Sequence, residues 1–219
     1  MTSEYRDNSL RYWDGIHAYK ERSDIKTDDW LYRFDDIITA CNSPVLDLGC
    51  GGGNDTLYLI ERGKKVISCD QSPKAIQGII KNFPDVYDVR CFNMLDGFPF
   101  EDEAFEIVIA DLCLHYFTED DTRNILNEIN RILVNGGHLI FRVNSMNDIN
   151  HGAGQGKEIE HHLFETESHT IKRFFNEDDI RDFFKDFEIE FLNEEIMTRY
   201  SLEKRLFTGC VRKKIPDRG

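Results

Sequence analysis

Apolar positions along this chain switch between two rhythms, short unbroken runs and clusters at helical spacing. Val45 to Leu48 is an apolar run suited to a buried strand and too short for a helix. Four glycines follow within positions 49–53, and then Leu57, Leu59 and Ile60 mark a helix over 54–62 stopped by Gly63. A strand is expected at 65–70. The next helix runs to about position 82, with Ser72 as N-cap and Pro73 at its first position. Pro84 breaks it, and strands are expected at 86–92 and 105–110. An amphipathic helix over 119–134 is capped by Thr118 and packs through Ile125, Leu126, Ile129, Ile132 and Leu133. Asn135-Gly136-Gly137 is expected to end it before a fifth strand at 138–143. Asn176 caps a helix to about position 185. Strands at 188–197 and 206–212, joined by a polar turn, read as an antiparallel hairpin at the sheet edge.

Strand alternating with helix predicts an α/β fold with a mostly parallel sheet covered on both faces and an antiparallel last strand. Right-handed crossovers place the glycine turn at the C-terminal edge of that sheet, where such folds bind ligands. Residues 1–43 read as a helical cap. Tyr12, Trp13, Ile16 and Tyr19 lie on its first helix, and Trp30, Leu31, Phe34, Ile37 and Ile38 on a second that Thr27 or Asp28 caps. Residues 144–170 are polar and glycine-dotted, and are expected to be a long loop over the site.

The length of 219 residues suggests one domain. Forty-one Asp and Glu against 27 Lys and Arg give a net charge of −14, which speaks against a phosphate backbone as substrate. The six cysteines show no paired spacing and are expected to be reduced, mostly buried thiols. A polar N-terminus and the absence of any long apolar run lead to the expectation of a soluble cytoplasmic protein. His151, His161, His162 and His169 fit no common zinc spacing, so no metal is expected.

The candidate chemistry sits on the first two strand ends. Asp70 falls 21 positions after Gly49, where a carboxylate accepts hydrogen bonds from both hydroxyls of a ribose. Asp47 lies inside an apolar strand, where a carboxylate is costly to bury without partners. It is expected to fix the glycine loop or to meet a cationic ligand group. A nicotinamide dinucleotide fold would want glycine rather than Asn54, and has no use for Asp47 beside a pyrophosphate. Both departures favour a ligand with a ribose and no diphosphate.

The run Val45-Leu46-Asp47-Leu48-Gly49-Cys50-Gly51-Gly52-Gly53 resembles the first motif of class I S-adenosylmethionine-dependent methyltransferases. Val66 to Ser72, Asn93 to Phe100 with Phe105 to Val108, His115, and Asn135-Gly136-Gly137 continue the resemblance over about 45–143. The remainder is similar to the type 11/25-like, tellurite-resistance-type group of small-molecule enzymes. The resemblance implies a Rossmann-like seven-stranded sheet with S-adenosylmethionine as cofactor. It places Gly49, Gly51 and Gly53 along the methionine part, Asp47 near the ammonium and Asp70 on the ribose. Gln71, Asn93 and Met94 then fall around the adenine, and His115 is the candidate base at the acceptor edge. For Trp13 two roles stand open, an aromatic wall closing over the cofactor or a packing contact of its own helix. The fourth-strand end, Ala110-Asp111-Leu112-Cys113, is not the Asn/Asp-Pro-Pro-Tyr sequence of amino-methylating nucleic-acid enzymes. That absence, with the net charge, argues for a small acceptor or a protein one; a small-molecule acceptor is expected, with a non-catalytic S-adenosylmethionine sensor or scaffold, or a nicotinamide-dependent oxidoreductase, as the alternatives.

Overall fold

The computed structural model describes residues 1–17 and 22–215; Tyr19 lies outside them. Helices α1 (Ser3–His17), α2 (Asp35–Ala40), α3 (Asn54–Glu61), α4 (Pro73–Asn82), α5 (Glu119–Ile132) and α6 (Glu177–Phe183) alternate with strands of one large sheet. Its strands are β1 (Val45–Leu48), β2 (Val66–Asp70), β3 (Asp88–Cys91), β4 (Phe105–Asp111), β5 (Leu133–Asn144), β9 (Phe187–Met197) and β10 (Lys204–Lys213). They lie in the order β3-β2-β1-β4-β5-β10-β9. Strands β1 to β5 are parallel, and β10 runs antiparallel between β5 and β9. The chain reverses between β1 and β4, so the C-terminal ends of those two strands bound a crevice.

Apolar residues fill both faces of the sheet, which is why its central strands read as unbroken runs rather than alternations. Leu46, Leu48, Val108, Ala110, Leu139 and Phe141 face one way, onto Ile125, Leu126 and Ile129 of α5 and Ile180 and Phe184 of α6. Val45, Val66, Ile107, Ile109 and Ile140 face the other, onto Trp30, Leu31, Phe34, Ile38, Tyr58 and Leu59. Helix starts follow the capping residues. Ser72 Oγ accepts from Ala75 N at 3.2 Å. Asn176 and Asp179 exchange two bonds of 2.8 Å, side chain to backbone in each direction.

Three expectations are corrected. Asn135-Gly136-Gly137 does not separate α5 from β5 but lies within the strand. A Cβ on Gly137 would stand 3.0 Å from the Val134 carbonyl oxygen and 3.1 Å from that of Glu106, so the glycine permits close backbone packing there. Residues 144–170 are not one loop. They include β6 (Lys157–Glu160) and β7 (Leu163–Glu165), which with β8 (Ile171–Arg173) form a three-stranded antiparallel sheet. Asp28 caps nothing with its side chain. It binds Arg142 at 3.0 Å and Arg199 at 2.5 Å instead. The cysteines are free; four are buried, Cys113 is half-buried and Cys91 is exposed. No helix among the described residues is long and apolar enough to cross a membrane.

Candidate active site

The turn after β1 reverses the chain with glycines in conformations that other residues resist. Gly49 has φ +71°, and a Cβ there would meet Cys113 Cβ at 2.5 Å; Gly51 has φ +49° and lies against His17. Asp70, at the end of β2, ties this turn to the next helix. Its Oδ2 accepts from Gly51 N at 3.0 Å and its Oδ1 from Ser72 N at 2.8 Å. Each oxygen keeps a further acceptor direction. Burial pushes the Asp70 carboxyl above its usual range, against the pull of the Ser72 and Gly51 amides.

A cavity of about 380 Å³ opens from this turn along the C-terminal edge of the sheet. Of the residues expected on the cofactor, Trp13, Gly49, Gly51, Asp70, Gln71, Asn93 and Met94 line it, and so does His115. Asn93 Nδ2 donates to Gln71 Oε1 at 2.9 Å, while Asn93 Oδ1 accepts from Leu95 N at 2.9 Å. The pair thus holds its amide edges in a fixed orientation on the wall. Trp13 meets Tyr116 edge-on with centroids 5.2 Å apart, closing the cavity from α1.

Asp47 and Gly53, also expected on the ligand, stand behind the cavity rather than in its wall. Gly53 begins α3, and a Cβ on it would meet Phe83 Cε2 at 2.6 Å and Ile79 Cδ1 at 2.7 Å. Its role is helix packing. Asp47 is 1% exposed, and Thr56 Oγ1 donates to its Oδ2 at 2.5 Å. Burial raises its carboxyl to about 7, opposed by the Thr56 hydroxyl and reinforced by Asp111 and Asp70. Asp55 is likewise raised, by burial and then by Asp111 and Asp47. Four carboxylates therefore gather under and around the glycine turn. Burial and mutual repulsion push Asp47 and Asp55 toward their neutral forms; a cation placed here relieves that repulsion, and a pyrophosphate adds to it.

A pH dependence follows from Asp47. Its folded pKa exceeds the unfolded value of about 3.9, so the folded state holds the extra proton between those values. Stability contributed by this group is present at acid pH and is lost as pH rises through about 7. Asp47→Asn keeps an acceptor for Thr56 and removes the titration. Measured by denaturant midpoints, wild-type stability relative to this variant should fall by on the order of 4 kcal/mol between acid and alkaline pH. A flat or rising difference contradicts the burial-driven shift.

The other end of the cavity holds His115, the one residue placed there above, with Asp111 and Tyr116 beside it. It also includes Asn144, His151, Lys172, Arg199, Tyr200 and Lys204. Asn144 ends β5 at the same sheet edge as His115, and that rule applied to the fifth strand would have found it. The others come from the short helical turn at Ile149–His151, from β8, and from the turn before β10 and its first residue, with no local spacing to join them. Asp111 and Arg142, paired across β4 and β5, make two bonds of 2.6 and 2.7 Å. His115 is 1% exposed, and its Nδ1 has no partner among the described residues. Burial, then Lys172 and Lys204, push its pKa well below the usual value, which keeps the imidazole neutral. Of the other histidines, His161 and His162 come together with Asp179, all ligand atoms within 4.8 Å. Asp179 is already engaged in the cap of α6.

The sequence model of a methyltransferase domain matches residues 46–141. An uncharacterized methyltransferase of Synechocystis is 36% identical over 93 residues, covering 42% of this chain and 43% of that protein. The chain thus spans less than half the length of that relative. A tRNA N(3)-methylcytidine methyltransferase of Schizosaccharomyces pombe is 28% identical over 207 residues, covering 83% of this chain and 80% of that one. That relative takes away the force of net charge as an argument against nucleic acid. Among solved structures, the 1,6-didemethyltoxoflavin-N1-methyltransferase of Burkholderia thailandensis superposes with a TM-score of 0.68 at 18% identity. The match covers 98% of this chain and 92% of that chain. Residues 46–141 match a methyltransferase domain, and the fold that holds them is the one shared by S-adenosylmethionine-dependent methyltransferases of known structure.

Proposed function

We propose that the protein transfers a methyl group from S-adenosylmethionine to a small-molecule acceptor. The observation that carries this reading is Asp70, which lines the cavity while gripping both the glycine turn and the start of α4. A carboxylate so placed suits the two hydroxyls of a ribose, and the surrounding acids suit a cation. The residues present therefore fit this cofactor. When bound, it supplies a methyl group already activated on a sulfonium.

What remains for the chain is positioning. Gly49 and Gly51 allow close approach, Gln71 and Asn93 present fixed amide edges, and Met94 and Trp13 supply apolar and aromatic wall. Holding two reactants at 3–3.5 Å in line is worth on the order of 7–11 kcal/mol. His115, neutral and buried at the acceptor end, is able to take a proton from the acceptor if it has one to lose, a gain of roughly 10²–10⁴-fold. Of the expected helical cap, α1 serves as the cover of the site, through Tyr12, Trp13 and Ile16, while Trp30, Leu31, Phe34 and Ile38 pack on the sheet instead.

A second reading, methylation of an RNA base, is favoured by the fission-yeast relative. Incubation with methyl-labelled S-adenosylmethionine and cell extract, followed by separation of metabolites from RNA, decides between them. Label in the metabolite fraction supports the proposal, and label in RNA alone supports the second reading. Cofactor binding with no label transferred to either fraction would indicate a sensor.

A further inference from the structure

The acceptor end of the cavity contains a half-buried cation, Lys172, with no salt-bridge partner among the described residues. Lys172 Nζ donates to the His151 carbonyl at 3.0 Å, and no carboxylate among the described residues pairs with it. Every acid near it is already engaged. Asp148 holds Lys204 Nζ at 2.9 Å and the Arg205 amide at 3.0 Å. Asp111 holds Arg142 and lies 3.9 Å from Arg199. Asp28 holds both of those arginines. Asp55, whose carboxyl burial raises, lies behind Arg142. Burial, and then Lys204, push the Lys172 ammonium down to about 8, and the opposing pull of Asp148 does not offset them.

A second observation points to a ligand at the same place. Asn144 is 0% exposed and lines the cavity, yet both its Nδ2 and its Oδ1 lack partners among the described residues. Buried amides are normally satisfied. An unpaired amide, an unpaired imidazole nitrogen and an ammonium bonded only to a carbonyl, all on one cavity, form a set suited to a polar guest.

Resting on the methyl-donor reading above, we infer that the methyl acceptor is an anion, a carboxylate or phosphate monoester, whose charge is held by Lys172 with the Asn144 amide beside it. Tyr116 and Tyr200 line the same end, so an aromatic ring bearing that group fits the wall. An anionic acceptor also complements the positive donor it must meet, bringing opposite charges together within one cavity.

The test uses the full chain saturated with S-adenosylhomocysteine, titrated with benzoate, phenyl phosphate and the neutral benzamide. Benzoate or phenyl phosphate should bind at least tenfold more tightly than benzamide, and the better of the two identifies the charged group. Lys172→Met should remove that preference, and Lys172→Arg should keep most of it. Both variants should bind S-adenosylhomocysteine within twofold of wild type, which also shows that they fold. Equal binding of all three probes overturns the inference. So does a parallel loss of S-adenosylhomocysteine affinity in Lys172→Met, which would assign the lysine to the cofactor's own carboxylate. Tight binding of an RNA stem-loop with no anion preference among the small probes overturns it as well. Failure of wild type to bind S-adenosylhomocysteine is a different result, and it removes the methyl-donor reading itself.

Discussion

Asp70→Ala is expected to weaken binding of S-adenosylhomocysteine by more than tenfold. Two losses combine. The ribose hydroxyls lose a charged acceptor, and hydrogen bonds to charged groups contribute roughly 1.5–3 kcal/mol each. The glycine turn also loses its tie, because Gly51 N donates to Asp70 Oδ2 at 3.0 Å. Asp70→Asn, which keeps one acceptor oxygen, should fall between wild type and alanine. Titration calorimetry reads all three, and unchanged affinity in the alanine variant would remove Asp70 from the cofactor.

Arg142→Ala is expected to destabilise the fold by roughly 3–5 kcal/mol, a large share of the 5–15 kcal/mol typical of a domain. The guanidinium is 3% exposed, makes a two-pronged contact with Asp111 and reaches Asp28 at 3.0 Å. Its carbon lies 4.4 Å from the centre of the Trp30 ring. Burial works against its charge, yet Asp111 and Asp28 hold its pKa above the usual value. Removing it leaves those carboxylates beside Asp55 and Asp47 with only Arg199 near them, 2.5 Å from Asp28 and 3.9 Å from Asp111. Arg142→Lys should recover only part of the loss, since an ammonium cannot make the forked contact. Denaturant unfolding measures this, and a loss below about 1 kcal/mol would mean that Arg199 alone compensates the acids.

The donor half of the site was legible in the sequence because its determinants are local. A strand, a glycine turn and an acid at the next strand end are set by spacing alone, and Ser72-Pro73 and Asn176 mark helix starts through bonds made within four residues. The misreadings share a cause. Asn135-Gly136-Gly137 looks like a helix stop. Whether it separates two elements or lies inside a strand depends on how closely β5 packs on the backbone of β4. The strands over 157–173 are three or four residues long, and their pairing partners are fixed by tertiary packing rather than by composition. Asp47 was rightly singled out as an expensive buried charge. Its partner proved to be the Thr56 hydroxyl, a contact that requires knowing how α3 lies on β1. The acceptor half draws on positions 111 to 204, and no periodicity connects residues that far apart.

The most direct test of the account is titration of the wild-type protein with S-adenosylhomocysteine and, separately, with NADH. The acidic enclave beneath the glycine turn and the carboxylate of Asp70 call for one S-adenosylhomocysteine per chain and no measurable NADH binding. Preference for the dinucleotide would contradict the account at its base.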